Sequence, residues 1–136
     1  MSEHPTASAP VAITSEALAE LTDKVDGSVL LPGDDTYAEA GDLYNLRLTL
    51  HPAVVVEAAD ATDVQAAVRF AAAHNLPVAV KASGHQVFLP EQGGVLITTH
   101  RMTAMSVDPA RRSARVEAGL RWSHVIENTA EDGLAP

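Results

Sequence analysis

Residues 53–82 read AVVVEAADATDVQAAVRFAAAHNLPVAVKA, and the rest of the chain is best understood outward from them. Ala53 to Val56 is a continuous, mostly β-branched run directly after Pro52, the composition of a strand covered on both faces. Asp60 then opens a helix. Its carboxylate can accept first-turn amides, Asp63 sits at the positive helix end, and Val64, Ala67, Val68 and Ala71 fall on one face. Asn75 and Pro77 end that helix, and Pro77 to Ala82 is a second strand of the buried type. Strand, helix, strand predicts two parallel strands joined by a right-handed crossover.

Upstream, residues 1–12 show no apolar period and are expected to be a mobile lead-in. Ser15 is placed to cap a helix in which Ala17, Leu18, Leu21 and Val25 recur at helical spacing, with Gly27 as a left-handed stop. Val29 to Leu31 is a brief apolar run closed by Pro32 and Gly33, and Tyr37 to Asn45 has a loosely helical pattern. Downstream, Gly94 to Thr99 predicts a third strand. Met105 to Asp108 and Ser113 to Glu117 predict a hairpin turning at Pro109, Ala110 and Arg111. Trp122, Val125 and Ile126 mark a last helix that stops near Asp132 and Gly133. The expected fold class is α+β: one domain over residues 13–136, built on a βαβ unit with additional mixed or antiparallel strands and flanking helices.

The chain has 136 residues with 9 Lys and Arg against 18 Asp and Glu, a net charge of −9. That balance repels phosphate backbones and makes nucleic acid a poor partner. There is no cysteine, which excludes thiolate catalysis, disulfides and zinc–thiolate sites. No run approaches the roughly 18 apolar residues of a membrane span, and the start carries no signal-peptide pattern. The expectation is a soluble, cytoplasmic protein with no membrane partner.

Chemistry concentrates in the loop 81–94, KASGHQVFLPEQGG, which leaves the carboxyl end of a predicted parallel strand, where open α/β layers place ligands. Ser83 and Gly84 are small enough for close backbone approach, and Gly84 accepts positive φ. Such a turn can aim successive N–H groups at a phosphate or pyrophosphate, with Lys81 adding charge. It is neither a G-x-G-x-x-G fingerprint nor a P-loop, and no helix follows it. On residues alone, an ordinary surface turn remains the competing reading.

Ordered blocks along the whole chain bear on that choice. They are PGDDTYAEAGDLYN (32–45), HPAVVVEAADATDVQAAVRFAAAHNLPVAVKASGH (51–85), GGVLITTHRM (93–102), VDPARRSARVEAGLRW (107–122) and DGLAP (132–136). In this order they resemble the opening part of the FAD-binding domain of FAD-linked oxidases of the p-cresol methylhydroxylase and vanillyl-alcohol oxidase type, in the berberine-bridge-enzyme-like branch. The resemblance implies that FAD is the cofactor and that its pyrophosphate binds the backbone of Lys81, Ala82, Ser83, Gly84, His85 and Gln86. It also implies that Gly119 lies close against the cofactor and that His85 is the candidate for a covalent flavin bond. The sequence departs from the family's commonest form, an Arg, a small residue and Gly-Gly-His: Lys81 replaces the Arg, Ser83 the first Gly, and Gln86 an expected Ser, Asp, Asn or Gly. Backbone cradling is indifferent to those changes, whereas covalent attachment is not.

Family members continue well past the block matching GLAP. The expectation is therefore a truncated N-terminal portion, inactive alone, of an oxidoreductase that passes hydride from a small-molecule substrate to FAD and is reoxidised by oxygen. No residue receives a catalytic role. A non-catalytic nucleotide- or protein-binding module, or a complementing subunit of a split flavoenzyme, is the alternative, with apolar surface left by truncation favouring association.

Other candidates have plainer readings. None of the six histidines lies three or four positions from another, so no helical metal pair exists. His74 and His124 read as solvated, and His100 and Arg101 as exposed residues, with approach to the cofactor as the alternative. Asp34 and Asp35 read as helix caps, Glu131 and Asp132 as a wet helix end, and Trp122 as a packing anchor.

Overall fold

A computed structural model of the chain describes residues 12–45, 48–85, 87 and 93–136. The predicted lead-in, apart from Ala12, and Gln86 lie outside the described residues. The elements in order are α1 (Ser15–Lys24), β1 (Ser28–Leu30), α2 (Tyr37–Gly41), β2 (Val54–Glu57), α3 (Ala61–Ala73), β3 (Val78–Lys81), β4 (Val95–Thr98), β5 (Met105–Asp108), β6 (Ser113–Val116) and α4 (Trp122–Ala130).

The βαβ order and the α+β class hold, but β3 is not the buried strand expected: it lies at the sheet edge with Val78 and Val80 exposed and only Ala79 buried. Strands β2 and β3 run parallel, but each pairs with β4, which lies between them in a sheet of order β1-β2-β4-β3. β1 closes the other side antiparallel to β2. β4 is the central element because all four of its residues, Val95 to Thr98, are apolar or small enough to be buried. On one face Val54, Val56, Val95 and Ile97 meet Leu21 of α1 and Ala67, Phe70 and Ala71 of α3. On the other, Val55, Leu96 and Ala79 meet Ala40 and Leu50. A strand buried on both faces needs side chains of that type at every position. The predicted hairpin forms as a separate antiparallel pair, β5 with β6.

Several local expectations are corrected. Thr14, not Ser15, caps α1: its hydroxyl accepts the Ala17 N–H at 3.2 Å, because Thr14 is the last residue with extended backbone. Gly27 does not stop α1 in a left-handed conformation; that helix ends on extended Val25. A Cβ at Gly27 would stand 1.9 Å from the Glu57 carbonyl oxygen, so the residue is needed for backbone approach between β1 and β2. Asp34 closes the Pro32–Gly33 turn by accepting the Leu31 N–H at 2.7 Å, and α2 has no side-chain cap. The Asp60 cap is as expected, with one carboxylate oxygen taking the amides of Thr62 and Asp63.

Asp63 does much more than favour a helix end. It is 1% exposed, and its oxygens accept the amides of Asp26 and Gly27 at 2.9 Å and of Ala59 at 2.8 Å. One carboxylate thus joins α3, the turn into β1 and the turn out of β2. Burial by itself pushes this carboxyl up, but the three amides, helped by the Arg101 charge, hold it below the ordinary value. A carboxyl depressed in the folded state stabilises the fold above its unfolded pKa of about 3.9 and loses that contribution as pH falls through the lower folded value. Urea midpoints are therefore expected to drop steeply below about pH 4, and less steeply in Asp63→Asn, which has nothing to titrate there.

Candidate functional site

The parallel register puts Glu57, Thr98 and Lys81 side by side at the carboxyl ends of β2, β4 and β3. The chain segments leaving those ends flank a crevice, the general position for ligands in such sheets. The segment after β3 carries the predicted loop. Ala82, Ser83 and His85 are exposed and Gly84 is buried with φ +82°, a conformation open to glycine at little cost.

Backbone polarity in this loop follows from two bonds. The Lys81 carbonyl accepts the Thr99 N–H at 3.0 Å, and the Gly84 carbonyl accepts the Tyr44 N–H at 3.1 Å. In a trans peptide the carbonyl and the following N–H point opposite ways. The Ala82 N–H therefore faces away from β4, and the His85 N–H away from Tyr44. Among the described residues, no hydrogen bond takes the N–H of Ala82, Ser83, Gly84 or His85. Successive N–H groups without a partner among the described residues are compatible with an anion nest.

Two clefts meet at Ala82. One, of about 600 Å³, is bounded by Ala82, Ser83, His100, Gly119, Arg121 and His124 among others. The other, of about 430 Å³, is bounded by Glu39, Glu57, Lys81 and Thr98, again with His100. Their charge differs in sign. Among the described residues, the larger cleft is lined by one arginine and no carboxylate, while the smaller is lined by two carboxylates and Lys81. A diphosphate is favoured in the first and repelled by the second.

The remaining predicted residues divide between these surroundings. The Lys81 ammonium donates to the carbonyls of Glu39 and Ala40 at 3.2 and 2.8 Å. Burial pulls its pKa down, partly offset by the Asp42 charge. His85 stacks on Tyr44, ring centroids 4.1 Å apart and planes 24° apart. Gly119 borders the larger cleft, yet its tightest constraint is internal: a Cβ there would stand 1.9 Å from the Thr99 carbonyl oxygen. His100 lies between the clefts, its Nδ1 3.2 Å from Thr98 Oγ1 and its Nε2 3.8 Å from a Glu57 oxygen.

Three cleft residues were not found by sequence reasoning. Arg121, Ser123 and His124 belong to the start of α4, and only the packing of the β5–β6 hairpin brings them opposite Ser83. Trp122 is corrected: it is 58% exposed at the cleft, and Val125 is the residue by which α4 packs. His74 is half-buried, with Nδ1 2.9 Å from the Phe70 carbonyl oxygen. Among the described residues there is no cluster of His, Cys, Asp and Glu able to hold a metal, and no helix is long and apolar enough to cross a membrane.

Residues 52–136 match the family model described as FAD binding domain. The chain belongs to the FAD-binding domain family. Its cofactor is FAD, and the family's proteins are FAD-linked oxidoreductases. The (R)-6-hydroxynicotine oxidase of Paenarthrobacter nicotinovorans is 25% identical over 113 residues, covering 82% of this chain and 25% of that protein. The chitooligosaccharide oxidase of Gibberella zeae is 31% identical, covering 74% of this chain and 21% of that one. Among solved structures, the 6-hydroxy-D-nicotine oxidase of Arthrobacter nicotinovorans superposes with a TM-score of 0.74 at 23% identity, over 80% of this chain and 24% of the other. BBE-like 1 of Physcomitrella patens gives 0.71 at 24% identity, over 84% of this chain and 26% of the other. The chain spans about a quarter of the length of these relatives.

The geometry fits that cofactor. Ala82 to His85 have no partner for their N–H groups among the described residues, Ala82, Ser83 and Gly84 are small, Gly84 has positive φ, and Ala82 and Ser83 border a cleft whose described lining has no carboxylate. When bound, FAD supplies two-electron redox chemistry, and the protein's share is to hold and orient it.

Proposed function

We propose that these residues form the diphosphate-holding part of an FAD-dependent oxidoreductase that takes hydride from a small-molecule substrate and is reoxidised by oxygen. The observation that carries this reading is the run of amides from Ala82 to His85, unbonded among the described residues, at the carboxyl end of a parallel strand. Ala82, Ser83, Gly84 and His85 cradle the diphosphate through their N–H groups, with Gly119 and Arg121 on the opposite wall. Lys81 contributes through the shape of the loop. Hydride transfer needs a donor carbon held against the flavin, so these residues by themselves are proposed to bind FAD without turnover.

Titration of the purified chain with FAD, followed by flavin absorbance and fluorescence, tests the reading. Gly84→Val places a β-branched residue at φ +82°, which costs about 1–2 kcal/mol or more and predicts a loss of at least roughly tenfold in FAD affinity. Arg69→Ala, on α3 away from the cleft, should leave affinity unchanged. Equal effects of the two, or no uptake of FAD at all, would favour a non-catalytic nucleotide- or protein-binding module. Activity restored only by adding a separate polypeptide would mark a complementing subunit.

The same reading makes His85 the side chain for covalent attachment, since it is exposed and held by the Tyr44 ring. Alkylation of the imidazole withdraws electrons from the isoalloxazine and raises its reduction potential. Flavin is expected to stay with the acid-precipitated protein and to fluoresce in a denaturing gel, and to be lost from both in His85→Ala. Flavin found wholly in the supernatant of the unaltered protein would remove the covalent bond and leave the cradle standing.

A further inference from the structure

The loop amides need a fixed direction before a ligand arrives; the Thr99 N–H on the Lys81 carbonyl fixes the first of them, and further contacts come from residues 39–44. We propose that Lys81 and Tyr44 are positioning residues that brace the FAD loop against the carboxyl end of α2, an inference that rests on reading residues 82–85 as the diphosphate cradle.

Lys81 is the last residue of β3, so anchoring its side chain anchors the hinge from which the loop departs. Its ammonium donates to the Ala40 carbonyl at the end of α2 and shares the Glu39 carbonyl with the Asp42 N–H that caps the helix. A cation there also meets the negative end of the helix. That contact spends the lysine on protein carbonyls and draws the segment 39–44 toward the loop. Tyr44 completes the brace from the same segment. Its amide holds the Gly84 carbonyl, and the planar peptide then sends the His85 N–H the opposite way. Its ring, 71% exposed, packs on the imidazole of His85 and limits that ring's rotation. Neither residue has to touch the cofactor to do this.

Hydrogen exchange of the whole chain without FAD, followed by FAD titration, tests the brace. Lys81→Met is expected to speed exchange of the Tyr44 amide about tenfold and to weaken FAD binding by a similar factor, while Leu96 and Ile97 in β4 stay protected. Lys81→Arg should restore both, because a guanidinium can also donate to two carbonyls. Tyr44→Ala should weaken FAD several-fold and Tyr44→Phe should not; this exposed pair decides the matter if Lys81→Met loses β4 protection. Weaker FAD binding with unaltered Tyr44 exchange would show the lysine acting directly on the diphosphate and overturn the inference, as would unchanged affinity. If the unaltered protein takes up no FAD, the cradle assignment fails, and the exchange rates alone decide whether Lys81 tethers the loop.

Discussion

Asp63→Ala is expected to destabilise the domain by about 3–5 kcal/mol, a large share of the 5–15 kcal/mol typical of a whole domain. The carboxylate is 1% exposed and satisfies three amides from two different turns. Removing it leaves the N–H groups of Asp26, Gly27 and Ala59 part-buried with no acceptor, and each unmade bond of that kind costs about 1–3 kcal/mol. Asp63→Asn keeps the volume and one carbonyl oxygen, but its NH2 group must face an N–H, so a smaller loss is expected. Urea unfolding at neutral pH checks both. A drop under about 1 kcal/mol in Asp63→Ala would mean that the three amides find water and that the carboxylate is not the joint described.

The second large effect is expected at Gly119. Gly119→Ala places a methyl group 1.9 Å from the Thr99 carbonyl oxygen and 2.8 Å from that of Met102. Both obstacles are backbone atoms and cannot swing aside. The Gly119 N–H also donates to the Met102 carbonyl at 2.8 Å, so relief of the clash breaks the tie between β6 and the turn after β4. Overpacking of this kind costs about 1–3 kcal/mol or more. The β5–β6 hairpin and α4 must then move relative to the sheet, carrying Arg121 and His124 away from Ser83. Thermal unfolding should occur several degrees lower, and FAD affinity should fall about tenfold or more. Ala110→Ser, in the exposed turn between β5 and β6, should change neither. Unaltered melting together with unaltered FAD uptake in Gly119→Ala would show that the hairpin is not held in this way.

These two residues show how far the sequence could be read. Asp63 was visible as a favourable charge in a helical first turn, because that preference is local. Its bonds to Asp26 and Gly27 cross 37 and 36 positions, and no periodicity encodes a partner at that distance. Gly119 carried a cofactor-facing role from resemblance, and Gly27 a helix-stopping role from composition. In both cases the constraint is another segment's backbone within bonding distance, which only the packed sheet supplies.

What the sequence by itself determined is local and periodic. The β-branched run at 53–56, the strand at 77–82, the Asp60 cap, the helix between the strands and the hairpin turn each follow from side-chain shape and hydrogen bonds reaching only a few residues. The position of the KASGH loop after a parallel strand followed as well, and the ordered blocks pointed to FAD before any coordinates did. Only the tertiary structure decided that β4 enters between β2 and β3, since strand order depends on which apolar faces bury one another. It alone turned the ammonium of Lys81 onto α2, laid Tyr44 on His85 and brought the start of α4 opposite Ser83. Such juxtapositions arise from burying two faces of one sheet at once, a global constraint that no single stretch of chain contains.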